Sequence, residues 1–189
     1  WAATRPGGPG QSDCAPDLMC LSKGLTGGTL PLAATLATED IYQAFYADWQ
    51  AGRAFLHSHS YTGNALACAA ALATLEIFEK QNWMQHNRDL GHLLWMSVAR
   101  LLKHPNVAEV RQQGMILAIE LAADARARKP FPREQRRGLR VYRYGLDKGV
   151  LLRPLGDVVY LMPPYILTPE EVKLMTETAV AGIEQAVRD

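Results

Sequence analysis

The sequence is short of the features that mark several classes of protein. Its three cysteines, Cys14, Cys20 and Cys68, match neither a disulfide framework nor a zinc-ligand spacing. It has no uninterrupted apolar run long enough to cross a bilayer. Its 20 lysines and arginines nearly balance 19 aspartates and glutamates, so we expect no nucleic-acid partner. These absences predict a soluble protein of the reducing cytoplasm, with no membrane contact.

Two stretches are predicted to be irregular. Residues 1–15 begin with Trp1 and include WAATRPGGPGQS, rich in glycine and proline, which predicts an irregular leader and a chain that is a fragment. The densest basic run, RARKPFPREQRR over 126–137, is predicted to be a solvated loop and helix start rather than a binding patch.

The remaining residues alternate between strand-like and helix-like patterns. The last helix has the strongest start signal, with Thr168 as N-cap, Pro169 after it and Glu171 completing a capping box. The alanine-rich segment 65–81 has the highest helix propensity. We predict a buried strand at 18–22, a strand at 30–37, helices at 38–52, 65–81 and 84–103, two strands in 107–121 turning at Gly114, a helix at 132–148, two strands in 150–165 turning at 155–157, and a helix at 168–187.

Lys23 follows the first predicted strand and precedes a loop with three glycines, CLSKGLTGG. Glycines let a flat ligand approach the backbone, and a lysine amine forms a Schiff base with a carbonyl cofactor. The alternative is an ordinary surface lysine at a turn. Lys23 is thus a candidate nucleophile, but this segment alone does not distinguish a cofactor lysine from a surface lysine.

A polar loop, HSHSYTGN over 57–64, precedes the alanine-rich helix. Hydroxyls beside a helix N-terminus are typical of a phosphate site, and Ser58, Ser60, Tyr61 and Thr62 supply them. The alternative is a polar loop that only caps the helix. His57 and His59 lack a nearby third ligand, so no metal site is predicted.

Arg153 lies within the apolar run VLLRPLG, where an arginine needs a partner. A substrate carboxylate is one partner, and an internal salt bridge to Asp157 or Glu120 is the alternative. Tyr160 follows on the returning strand of the same predicted hairpin, so the two side chains are candidates for one site.

Together these segments resemble the class III aminotransferases, which belong to the fold type I pyridoxal-phosphate enzymes. Residues 16–36 are similar to the cofactor-lysine segment, and residues 57–79 to the phosphate loop and its helix. Residues 149–171, with LRPLG and VYLMPPY, favour the biotin-pathway branch of the class.

The resemblance implies an α/β fold: the C-terminal part of a fold type I large domain at 16–100, then an α+β small domain at 101–189. It implies pyridoxal 5'-phosphate as cofactor and a homodimer with shared active sites. It also implies transamination of 8-amino-7-oxononanoate to 7,8-diaminononanoate with S-adenosylmethionine as amino donor. Small-molecule substrates are the only other partners it implies.

The resemblance also assigns roles. Lys23 would hold the cofactor and then transfer the proton, while His59 and Ser60 would contact the cofactor phosphate across the dimer interface. Ser58 would lie beside the substrate, Arg153 would bind the keto-acid carboxylate, and Tyr160 would line that pocket. Where the family has Gly-Pro-Thr, this chain has Ser58-His59-Ser60, which alters bulk and rigidity beside the substrate.

Two other functions remain open at this point. One is a different class III aminotransferase acting on an ω-amino acid. The other is a non-catalytic remnant or partner subunit, because the upstream half that supplies the family's aspartate for the pyridine nitrogen is not recognisable in residues 1–15.

Overall fold

The computed structural model describes residues 16–188, and the chain divides after Gln81 into two compact units, described over residues 16–81 and 82–188. We call these the first unit and the second unit. The leader predicted for residues 1–15 lies outside the described residues, and so does Cys14. The domain boundary predicted near residue 100 stays a prediction.

The first unit is a short β-ribbon followed by helices. Its strands pair antiparallel, with Leu18 opposite Ala37 and Leu21 opposite Ala34. The elements are β1 (Leu18–Leu21), a 3-10 turn (Lys23–Thr26), β2 (Ala34–Ala37), α1 (Glu39–Phe45), a 3-10 turn (Trp49–Ala51) and α2 (Ala65–Lys80). The alanine-rich helix was therefore predicted to within one residue.

Two sequence predictions in this unit were wrong. The strand at 18–22 was expected to be buried, but Leu18 is 55% exposed, because a two-stranded ribbon has few neighbours to cover its side chains. The helix expected to run to Gly52 ends at Phe45, and none of its residues is buried, so no packing extends it. Gly52, at φ 63°, ends the second 3-10 turn instead.

The second unit is a four-stranded antiparallel sheet in the order β3-β4-β6-β5 with helices packed on it. Its elements are α3 (Trp83–Val98), a 3-10 turn (Ala99–Lys103), β3 (Val107–Gln113), β4 (Ile116–Leu121), a 3-10 turn (Arg133–Gln135), α4 (Arg137–Asp147), β5 (Arg153–Leu155), β6 (Val158–Leu161) and α5 (Pro169–Ala186). Both predicted hairpins occur, with Gly114 and Gly156 in their turns at φ 57° and 60°.

The core of the second unit lies between one face of the sheet and the helices. Alternate residues of β4, Leu117, Ile119 and Leu121, point into it, as expected for a sheet with one covered face. Helix α5 contributes its own buried stripe, including Val172 and Ile183. Its predicted capping box is confirmed: Thr168 Oγ1 accepts from Glu171 N at 3.2 Å, and Thr168 N donates to Glu171 Oε2 at 2.8 Å.

The basic side chains of the run 126–137 are exposed, as predicted, except that of Arg137, which is buried near the buried Phe131. Arg137 is 3% exposed, donates a hydrogen bond to the Ala186 carbonyl at 2.6 Å, and lies 4.9 Å from the centroid of the Phe131 ring. The predicted helix at 132–148 begins only at Arg137, because Arg136 adopts a left-handed backbone with φ 45°. Within residues 16–188, no helix has both the length and the apolarity to span a membrane.

Candidate active site

Lys23 opens the 3-10 turn that follows β1, and its backbone is left-handed, with φ 31°. Residues other than glycine rarely adopt this backbone conformation, and residues strained in this way cluster at functional sites. Ser22, just before it, accepts a hydrogen bond from Leu25 N at 2.8 Å and donates its hydroxyl to the Leu32 carbonyl at 3.2 Å. Lys23 therefore lies in a turn that hydrogen bonds of Ser22 connect to Leu25 and to Leu32.

An open cleft of about 930 Å³ lies beside Lys23 within the first unit, and we call it the lysine cleft. His59 of the same chain also lines it, whereas the contact across a dimer interface that the resemblance implies for His59 stays a prediction. Among residues 16–188, no aspartate or glutamate lines it. Its polar side chains are those of Ser22, Lys23, Thr29, His59, Tyr61, Thr62 and Asn64. A cleft with two basic side chains and several neutral donors suits an anionic ligand.

The loop before α2 is held by internal hydrogen bonds. His59 N donates to Thr62 Oγ1 at 3.0 Å, and His59 Nδ1 accepts from Tyr61 N at 3.1 Å. An acceptor at Nδ1 places the proton of the neutral ring on Nε2, which is then the nitrogen able to donate to a ligand. Ser58 and Ser60 lie in this exposed loop but do not line the lysine cleft.

The N-terminus of α2 is already capped by this chain. Asn64 Oδ1 accepts hydrogen bonds from Leu66 N at 3.0 Å and Ala67 N at 3.2 Å. The helix terminus thus has fewer N–H groups for a phosphate than the sequence predicted. Asn64 was missed among the predicted residues, although an asparagine directly before the alanine-rich run is a helix-start signal.

Arg153 and Tyr160 are directly opposite each other on β5 and β6. Opposite residues of an antiparallel pair have their side chains on the same face, so the predicted neighbourhood is confirmed by the register. Both line a second cleft of about 460 Å³, which is otherwise largely apolar, with Leu151, Met162 and Leu174 among its walls. We call it the arginine cleft.

The internal salt bridge that offered an alternative for Arg153 does not form among residues 16–188. Glu120 instead pairs with Arg111 at 3.0 Å, and Asp157 Oδ1 accepts from Gly138 N at 3.1 Å. Arg153 has no ion-pair partner among the described carboxylates. Its guanidinium is therefore available to a carboxylate that the described residues do not supply.

Arg153 and Tyr160 are part of a row that crosses all four strands. Tyr160 is opposite Ala118 on β4, and Ala118 is opposite Arg111 on β3. The hydrogen bond that Arg111 donates to Glu120, with the nearby charge of Glu109, raises the pKa of its guanidinium. The row therefore has an arginine at each end, of which only Arg153 lacks a carboxylate among the described residues.

The described residues do not form a metal site. Residues 16–188 contain no cluster of three or more histidine, cysteine or acidic side chains able to hold a metal ion. The polar side chains of the lysine cleft are instead cations and neutral donors, which are suited to phosphate. The arginine cleft has Arg153 and Tyr160 together with Glu171, whose carboxylate accepts a hydrogen bond from Thr168 N.

Known proteins similar to this chain are aminotransferases. The model of the family "Aminotransferase class-III" matches residues 8–183. The chain is 46% identical over 177 residues to an adenosylmethionine-8-amino-7-oxononanoate aminotransferase of Helicobacter pylori, covering 92% of this chain and 38% of that protein.

Solved structures agree with this. The crystal structure of the Methanocaldococcus jannaschii adenosylmethionine-8-amino-7-oxononanoate aminotransferase matches with a TM-score of 0.84 and 40% identity, covering 90% of this chain and 39% of that one. An omega transaminase from Pseudomonas jessenii in complex with PMP matches with a TM-score of 0.84 and 29% identity, covering 92% of this chain and 38% of that one.

The α/β fold predicted from the sequence, as part of a fold type I aminotransferase, is confirmed by these matches. The chain spans about two fifths of the length of the relatives that it matches. Since the family model extends over most of its length, the chain belongs to the class III aminotransferases.

Proposed function

We propose that this chain is the lysine-bearing and carboxylate-binding part of a pyridoxal-phosphate aminotransferase of biotin synthesis. The reaction would convert 8-amino-7-oxononanoate to 7,8-diaminononanoate, with S-adenosylmethionine as amino donor. The relatives of 40–46% identity that carry this enzyme's name support the substrate pair. The observation that carries the proposal is Lys23 in a strained backbone beside a cleft that none of the described carboxylates lines.

The residues of the lysine cleft fit pyridoxal phosphate. The cofactor has an aldehyde, which needs an amine, and a phosphate, which needs cations and donors. Lys23 supplies the amine, and His59, Thr29 and Thr62 line the same cleft, where the described part of the chain places no carboxylate to repel the phosphate. Ser60, next to His59 in the exposed loop, is proposed to donate its hydroxyl to the phosphate of the partner subunit.

The chemistry divides between the cofactor and the chain. Bound pyridoxal phosphate supplies an electron sink for the electron pair of the substrate's C–H bond. Lys23 would hold the cofactor covalently, and once the amino donor displaced it, its Nζ would be the base that takes the proton from the amino-bearing carbon and the acid that returns one to the acceptor. Arg153 binds the keto-acid carboxylate, Tyr160 flanks it, and Ser58 lies beside the substrate.

The apolar walls of the arginine cleft support a substrate whose carboxylate ends an aliphatic chain. Leu151 and Met162 are 73% and 58% exposed, so a chain that contacts them removes apolar surface from water. A class III enzyme acting on a short ω-amino acid is the second candidate, because the ω-transaminase structure matches as well by TM-score. Rates with a panel of keto acids of increasing chain length separate the two.

A homodimer in the cytoplasm completes the proposal. Cys20 and Cys68 are both free thiols, which agrees with a reducing compartment. In a dimer with shared sites, Lys23 of one subunit and Ser60 of the other would serve the same cofactor.

The first test is visible absorbance of the chain with pyridoxal phosphate, followed by borohydride reduction and mass spectrometry of the labelled peptide. We expect a band and a label on Lys23, both absent from Lys23→Ala, with Lys80→Ala as the control for a surface amine. Equal labelling of Lys23→Ala would refute the cofactor site and favour a non-catalytic remnant.

Shared sites are tested by mixing Lys23→Ala and Ser60→Ala chains. A mixed dimer then contains one intact site, so cofactor binding should partly recover on mixing. No recovery, with dimers present by light scattering, would mean that both residues act within one chain.

A further inference from the structure

Thr26 is the one polar side chain that is buried among residues 16–81, with 2% of its surface exposed. The only other buried residues of that segment are Ala67 and Ala71, which lie one turn apart on α2. The 3-10 turn that ends at Thr26 packs against α2. The small alanine side chains allow that close approach, so Thr26 anchors the turn to the helix.

The Thr26 hydroxyl closes the loop that follows it. Its Oγ1 donates to the Leu30 carbonyl at 2.6 Å and accepts from Leu30 N at 3.4 Å. The Thr26 carbonyl accepts from both the hydroxyl and the N–H of Thr29, at 2.8 and 3.2 Å. Both polar atoms of Thr26 that face this loop are thus used, and removing a buried hydroxyl leaves its partners without a hydrogen bond.

Lys23 begins the turn that Thr26 ends. The left-handed backbone of Lys23 persists only if both ends of the turn are held, because relaxation would relieve the strain. Ser22 holds the first end through its bonds to Leu25 and Leu32. Thr26 holds the other end against α2, although its side chain does not line the lysine cleft.

We propose that Thr26 is a positioning residue that keeps the Lys23 amine directed for covalent attachment to a carbonyl cofactor. The proposal rests on the proposed function of the chain. Thr26 acts through the turn and touches neither cofactor nor substrate. Its loss should therefore slow attachment at Lys23 even when the cofactor is saturating.

The test compares Thr26→Val, which keeps the shape and removes the hydroxyl, with Thr26→Ser, which keeps the hydroxyl. Each is mixed with saturating pyridoxal phosphate, and borohydride-trapped label on Lys23 is followed over time, alongside the melting temperature. Thr35→Val, an exposed threonine on β2, is the control for a lost hydroxyl elsewhere.

We expect labelling to slow about tenfold or more in Thr26→Val, and to stay within about threefold of wild type in Thr26→Ser and Thr35→Val. A wild-type rate in folded Thr26→Val would overturn the inference. If Thr26→Val does not fold, Thr26→Ala replaces it, and equal rates for the serine and alanine variants overturn the inference. Absence of label on Lys23 in the wild-type chain would overturn the proposed function as well, so the two failures differ.

Discussion

Replacing Arg153 by alanine tests whether the arginine cleft binds the substrate carboxylate. Arg153 has no ion-pair partner among the described carboxylates, so its guanidinium gives up no internal bond when a substrate arrives. A hydrogen bond to a charged group contributes about 1.5–3 kcal/mol. We therefore expect the KM for 8-amino-7-oxononanoate to rise about ten- to hundredfold, with a smaller change in kcat.

The measurement compares the keto acid with its methyl ester, in which the carboxylate charge is masked. For wild type, the ester should show the raised KM that Arg153→Ala shows for the acid, because either change removes one partner of the same pair. For Arg153→Ala, acid and ester should have nearly the same KM. This double comparison isolates the pair from any loss of packing.

Arg111→Ala is the matched control. Arg111 is in the same row of the sheet but is paired with Glu109 and Glu120, so its loss should leave the KM for the keto acid within about twofold. If the KM of the ester rose from wild type to Arg153→Ala by the same factor as the KM of the acid, the reasoning would be refuted. The arginine would then act on something other than the carboxylate.

Two predictions concern stability and are read from the melting temperature. A Cβ at Gly138 would overlap the Gly156 carbonyl oxygen and come within 2.9 Å of Pro154 Cβ, so Gly138→Ala should destabilise the second unit by about 1–3 kcal/mol. An unchanged melting temperature there would contradict the packing of α4 on β5. Thr168→Ala removes the α5 cap and should cost about 0.5–2 kcal/mol, whereas Thr168→Ser should cost little, and equal losses would argue against the cap.

Local chemistry made part of the second unit predictable. The capping box of α5 and the glycine turns of both hairpins depend on residues only a few positions apart, so their signals are complete in the sequence. The pairing of Arg153 with Tyr160 followed from the hairpin in the same way. The sequence did not show whether Glu120 pairs with Arg153 or with another residue. Its pairing with Arg111 depends on the register between β3 and β4.

The first unit was harder to predict, because tertiary packing decides its structure. Helix α1 stops at Phe45, and none of its side chains is buried against another element that could extend it. Burial was predicted for β1 from its apolar residues, but burial depends on neighbours that the pattern alone does not specify. The left-handed backbone of Lys23 also had no signal, since lysine has no preference for it.

The proline in β5 has a consequence for how the protein behaves in concentrated solution. Strand β5 is an outermost strand of the four-stranded sheet, and Pro154 is the middle one of its three residues. A proline has no N–H to offer, and a strand this short gives another chain little to pair with. The edge that carries Arg153 can thus stay open to small molecules while resisting the strand-by-strand growth that leads to aggregates.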